Sequence, residues 1–207
     1  MVTSQAAKDK IATEAMLGPG NQFRTQQCSA LAVFLSDLEA GKRIQRIHEL
    51  ETDWGKRPPA YMAMMPLTTS YLLGEGHAAT LLKQLAGSIL SETKPMPQQE
   101  PIQSWCYKNT SLMAQSYVLA AGSHDLGTSM MEGMDTRRLK EVLRIPDRYA
   151  IPLVIATGYD YEHETDDSTL TPRLPLEELV FQDSFGVPYD ESVESIQDED
   201  DDRVASV

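Results

Sequence analysis

The stretch that most constrains this chain is WCYKNTSLMAQSYVLAAGSHDLGTSMMEGMD, from Trp105 to Asp135. Apolar or small residues at Trp105, Asn109, Leu112, Met113, Ser116, Tyr117, Ala120 and Ala121 recur at helical spacing. Val118 and Leu119 lie on the opposite face, so the pattern predicts a long buried helix with little surface meant for water. Gly122 is placed to stop it. Leu126 to Ser129 then reads as an extended segment, and Met131-Glu132-Gly133-Met134-Asp135 as a tight turn into another helix. Backbone N–H groups in such a turn have no secondary-structure partner, so they bond to water or to a ligand.

Upstream, residues 4–17 carry a weak helical stripe that Gly18-Pro19-Gly20 ends. Asn21 to Gln27 reads as a polar connection or short helix. Ser29 to Leu35, SALAVFL, is a near-continuous apolar run of strand length, as expected for a strand covered on both faces. From Asp37, the spacing of Leu38, Ile44, Ile47 and Leu50 is helical until Trp54-Gly55-Lys56-Arg57-Pro58-Pro59 breaks it. A methionine-rich apolar segment follows from Tyr61 to Leu73, then Gly74 and Gly76 interrupt, and a helix resumes from His77 to Leu90. Lys94 to Pro101 is a proline-rich loop. Beyond Asp135, a helix cap, Thr136 to Arg144 gives a short amphipathic helix, and Ile151 to Gly158, IPLVIATG, is a second strong strand. Helices around a few buried strands imply α/β or α+β with a small sheet.

Charge is uneven. The segment from Glu177 to the end holds 11 acids and one base, whereas the preceding 176 residues hold 20 acids and 17 bases. The expected organisation is one domain over residues 1–180 and an acidic, disordered tail over 181–207. No face is basic enough for nucleic acid. No apolar run nears the ~20 residues of a membrane span. The opening MVTSQAAKDK lacks the apolar centre of a signal peptide, so a cytoplasmic location is the default expectation. Cys28 and Cys106 show no metal spacing and read as structural thiols. The four histidines share no spacing with a nucleophile or with one another.

The segment from Ser104 to Tyr159 resembles the second half of the FMN-dependent nitroreductase family. Its long alanine-rich helix, strand, Glu-Gly-x-Asp turn, short helix, Ile-Pro and Pro-apolar-Gly-Tyr strand occur in the family's order. Gly20-Asn21 before the first strand, and Thr171-Pro172-Arg173-Leu174-Pro175 near the end, resemble two further family segments. The resemblance implies an α+β, three-layer α/β/α fold. A small central sheet would be flanked by helices around the long buried helix, with FMN at a homodimer interface. It also implies ping-pong hydride transfer from NAD(P)H through the flavin to a nitroaromatic, quinone or related small acceptor. By position, Met131, Glu132 and Gly133 would form the flavin turn, with backbone donors near N5 and O4. Asn21 would bond the isoalloxazine or ribityl edge, and Arg24 would place positive charge near N1 and O2. Arg173 would pair with the phosphate.

The family opens with an Arg-x-Ser-x-Arg-like segment and a Pro-Ser-x-x-Asn-x-Gln segment. Neither is found here, so the expectation is a member lacking the N-terminal helical portion. Thr171 also stands where the family has lysine. Two charge-assisted contacts at ~1.5–3 kcal/mol each would then be missing at the phosphate. This motivates an alternative expectation, a flavin-deficient dimerisation or binding module without catalysis.

Overall fold

The computed structural model describes residues 1–73, 77–96, 100–159 and 172–189. The chain divides into two compact units, Met1–Tyr161 and Glu162–Val207. The expected break at Gly74 and Gly76, most of the polar stretch after Tyr159, Thr171, and the tail from Asp190 onward lie outside the described residues.

The first unit is helical around a three-stranded antiparallel sheet. Its strands are β1 (Ala30–Val33), β3 (Gly127–Met131) and β5 (Val154–Gly158), in the order β1-β5-β3. Leu31 stands opposite Ala156, and Ser129 stands opposite the same residue on the other side. β5 is therefore central, and four of its five residues are buried, as its unbroken apolar sequence requires. A separate two-stranded ribbon joins β2 (Ser36–Asp37) to β4 (Tyr149–Ala150).

The alternation of the strands divides the core. Leu31, Met131, Val154 and Ala156 pack with Ile11, Ala15 and Met16 around α1 (Gln5–Glu14) and with Leu139 of α7 (Thr136–Leu143). Ala32, Leu153 and Ile155 face the other way, against Ala114, Tyr117 and Val118 of α6 (Ile102–Gly122). The sheet thus lies between two helical layers, giving an α+β fold.

Three expectations change. Gly18-Pro19-Gly20 does not follow a helix as a stop; it opens α2 (Gly18–Gln27). Proline suits a first turn because its missing N–H would have had no helical partner. Ser36–Asp37 pairs in the ribbon before the chain becomes helical, and α3 begins only at Ile44. The long helix α6 forms as expected, yet within the single chain it is not buried all round. Cys106, Thr110, Ala114 and Ala121 form its buried stripe. Ser36 and Thr110 hydroxyls bond at 2.7 Å, and the Tyr117 and Thr157 hydroxyls at 2.9 Å. The outer face leaves Leu112 69%, Met113 65% and Leu119 67% exposed. Periodicity records that residues are apolar, not which partner covers them.

Between ribbon and α6, α3 (Ile44–Trp54) turns at Gly55, in the left-handed region at φ 68°, and packs on α4 (Pro59–Leu72). Of the three clustered methionines, Met65 is buried and Met64 is exposed. α5 (His77–Ser91) exposes Leu81, Leu82, Leu85 and Ile89. In the second unit, Leu176–Glu178 forms one 3-10 turn and Phe181 bridges to Pro188.

Candidate functional site

Two connections meet beside the sheet: the α1–α2 link and the turn from β3 into α7. They are joined by backbone. Met16 and Met134 form an antiparallel bridge. The Leu17 N–H donates to the Gly133 carbonyl at 2.9 Å, and the Asp135 N–H to the Ala15 carbonyl at 2.7 Å. Buried Met16, Met131 and Met134 anchor both connections in the core. The Asp135 side chain then caps α7 by accepting from the Arg138 N–H at 3.0 Å. That bond, foremost, holds the Asp135 carboxyl below its ordinary pKa, and Arg137 and Arg138 add to the effect.

Asn21 sits in the first turns of α2, half-buried against this junction. Its Nδ2 donates to the Leu17 carbonyl at 2.9 Å and to the Gly133 carbonyl at 3.3 Å. A Cβ on Gly133 would stand 2.2 Å from that nitrogen, so any larger residue there would displace the Asn21 side chain. Gln22 adds a tie from its Nε2 to the Met16 carbonyl at 3.2 Å. Arg24 is exposed one turn along α2. A Cβ on Gly20 would lie 3.3 Å from Arg24 Nη1, so the guanidinium folds back toward the start of its helix. There its charge adds to the positive end of the helix dipole. Leu17 and Phe23 give the same surface an exposed apolar rim.

The Glu132 and Gly133 N–H groups have no acceptor among the described residues; the Glu132 carbonyl receives Met134 N–H at 2.8 Å. Glu132 is exposed. Two adjacent backbone donors thus lie in a turn whose Glu132 and Gly133 carbonyls and Met134 and Asp135 N–H groups are bonded, next to Asn21 and on the same junction as α2. This arrangement suits an acceptor edge carried by an apolar ring system, with anionic charge tolerated nearby.

Of the six residues singled out from sequence, Asn21, Met131, Glu132 and Gly133 come together here. Arg24 flanks them from α2. Met131 is buried and supports the turn from beneath. Arg173 belongs to the second unit, where its Nη1 donates to the Pro172 carbonyl at 3.2 Å. The pairing of residues 15–17 with 133–135 was missed from sequence. It is made by backbone groups, which leave no mark on side-chain pattern; Gly133 was the one available signal. Burial pushes both cysteine thiols up, away from reactivity. No cluster of metal-ligating side chains occurs among the described residues.

An α+β fold with a turn after its edge strand that leaves two backbone N–H groups open among the described residues defines the class. The chain belongs to the Nitroreductase family, whose family model matches residues 21–159. Over 82 residues it is 30% identical to an NADH dehydrogenase of Thermus thermophilus, covering 40% of this chain and 38% of that protein. The match thus spans well under half of that relative's length. In structure the chain is similar to a Staphylococcus epidermidis protein described as an NAD(P)H:FMN oxidoreductase. The TM-score is 0.59 at 21% identity, over 86% of this chain and 71% of that one. It is similarly related to a nitroreductase-type protein of Exiguobacterium sibiricum solved in complex with FMN. There the TM-score is 0.59 at 16% identity, over 87% and 73% of the two chains.

Proposed function

We propose that this chain is an FMN-dependent oxidoreductase that takes reducing equivalents from NAD(P)H and passes them to a nitroaromatic, quinone or related small acceptor. Family membership supports a flavin-dependent oxidoreductase. So do relatives described as an NADH dehydrogenase and an NAD(P)H:FMN oxidoreductase, and a neighbour solved with FMN. The observation that carries the reading is the pair of Glu132 and Gly133 N–H donors, without an acceptor among the described residues, beside Asn21. Such a pair would suit the acceptor edge of an isoalloxazine at N5 and O4. Bound FMN would supply the chemistry, accepting hydride from the nicotinamide and donating it to the acceptor in alternate half-reactions.

The protein's share is binding and tuning. Glu132 and Gly133 would orient the ring, and the folded-back Arg24 would favour negative charge at N1 and O2. Arg173 would serve the phosphate as a bidentate cation. No side chain is assigned as nucleophile or general acid. A homodimer goes with this reading, because Leu112, Met113 and Leu119 on α6 and Met130 on β3 form exposed apolar surface that a second copy would cover. No described helix is long and apolar enough to cross a membrane.

The test is FMN titration of the purified chain followed by fluorescence quenching, with Arg24→Ala and Arg173→Ala alongside. Each removes a charge-assisted contact worth ~1.5–3 kcal/mol, so each should weaken FMN binding by about tenfold or more. FMN affinity unchanged in both variants would refute these two assignments.

A further inference from the structure

We propose that Asn21 is a positioning residue: it acts on the cofactor by holding the Glu132–Gly133 peptide. The inference rests on the flavin reading above. Asn21 offers two amide protons, and both are committed to carbonyls, at Leu17 and at Gly133. The Gly133 carbonyl also receives the Leu17 N–H, so it is held by two donors from one side. A carbonyl fixed in this way fixes the plane of the peptide that follows it, Gly133 to Met134, because that unit is rigid. The Met134 N–H is in turn tied to the Glu132 carbonyl at 2.8 Å, which sets the peptide between Glu132 and Gly133 as well. The orientation of the Gly133 N–H is therefore set through the Gly133 carbonyl that Asn21 and Leu17 hold and the Glu132 carbonyl that Met134 ties.

The steric fit supports the same role. Asn21 Nδ2 occupies the place where a side chain at residue 133 would begin. Glycine and asparagine thus form one device: the missing Cβ admits the amide, and the amide takes up the freedom that glycine brings. Without the clamp, Gly133 would sample several orientations. Binding would then have to offset that ordering cost. Gln22, through Met16, and Asp135, through Ala15, hold the flanks but do not reach Gly133.

The experiment compares the full chain with Asn21→Ala and the milder Asn21→Ser. Three readouts are taken: amide hydrogen exchange of the flavin-free protein, FMN affinity, and the midpoint potential of bound FMN. The expected result is at least tenfold faster exchange at Leu17, Met134 and Asp135, with β5 exchange unchanged. FMN affinity should fall about tenfold, and the potential of bound FMN should move toward that of free FMN, which loss of stability alone would not cause. Weaker FMN binding with unaltered exchange at the turn would overturn the proposal and make Asn21 a direct contact. Faster exchange with unaltered affinity and potential would also overturn it, leaving a purely structural bond. A wild-type chain that takes up no FMN would defeat the flavin reading itself, and the positioning role with it.

Discussion

Gly133→Ala is the smallest change with a large expected effect. The added Cβ would stand 2.2 Å from Asn21 Nδ2, more than 1 Å inside the 3.4 Å at which ordinary contact begins. The backbone cannot easily give way, because Leu17 holds the Gly133 carbonyl at 2.9 Å and Ala15 holds the Asp135 N–H at 2.7 Å. The Asn21 side chain must therefore swing out and lose its bonds to Leu17 and Gly133. At ~0.5–1.5 kcal/mol for each net hydrogen bond, the loss is about 1–3 kcal/mol. For a chain of this size that corresponds to a drop in melting temperature of about 2–12 °C. Gly133 is not among the positive-φ residues, so alanine meets no conformational penalty and the effect is steric. Gly122→Ala is the control: a Cβ there meets nothing within 4 Å, and stability should hold or rise by a few tenths of a kcal/mol. Differential scanning fluorimetry and urea denaturation read both. In an Asn21→Ala background the clash is gone, so adding Gly133→Ala should cost much less than it does alone. A Gly133→Ala protein as stable as wild type, or strictly additive losses, would refute the packing described here.

Ile155→Ala removes a fully buried side chain from the central strand and should cost about 2–5 kcal/mol in urea denaturation, whereas Leu139→Ala should cost a similar amount on the other face of the sheet. Leu112→Lys combined with Leu119→Lys should leave far-ultraviolet circular dichroism unchanged but shift gel filtration from a dimer-sized to a monomer-sized peak; an unshifted dimer would place the interface elsewhere. Asp135 has a folded pKa below its ordinary value of 3.8, chiefly through the Arg138 N–H. Its contribution is therefore complete above that value and is lost as pH falls through the folded pKa. Asp135→Asn keeps a capping acceptor without the titration, so its denaturation midpoint should fall less than wild type's between pH values above and below 3.8.

Much of the fold was legible because it is written in side-chain periodicity. The apolar run Ile151–Gly158 announced the central strand, although its first residues serve the approach to β5 rather than the strand itself. Leu139, Val142 and Leu143 announced α7, and Asp135 its cap. Two-residue strands such as β2 and β4 were not legible, since two residues cannot display a period. The exposure of Leu112, Met113 and Leu119 was not legible either, because an apolar helix face looks the same whether its own chain or another molecule covers it. At the site, Glu132 and Gly133 could be singled out by resemblance. The commitment of the Asn21 amide to Leu17 and Gly133 could not, because it depends on two segments 112 residues apart meeting through backbone carbonyls.

A flavin bound at this turn would be seen in the absorbance spectrum of the chain after incubation with FMN and gel filtration. Flavin bands should remain with a dimer-sized peak and bleach on addition of NADH or NADPH. A folded, colourless peak that takes up no FMN would contradict it, and would leave the chain a nitroreductase-family fold acting as a dimerisation or binding module.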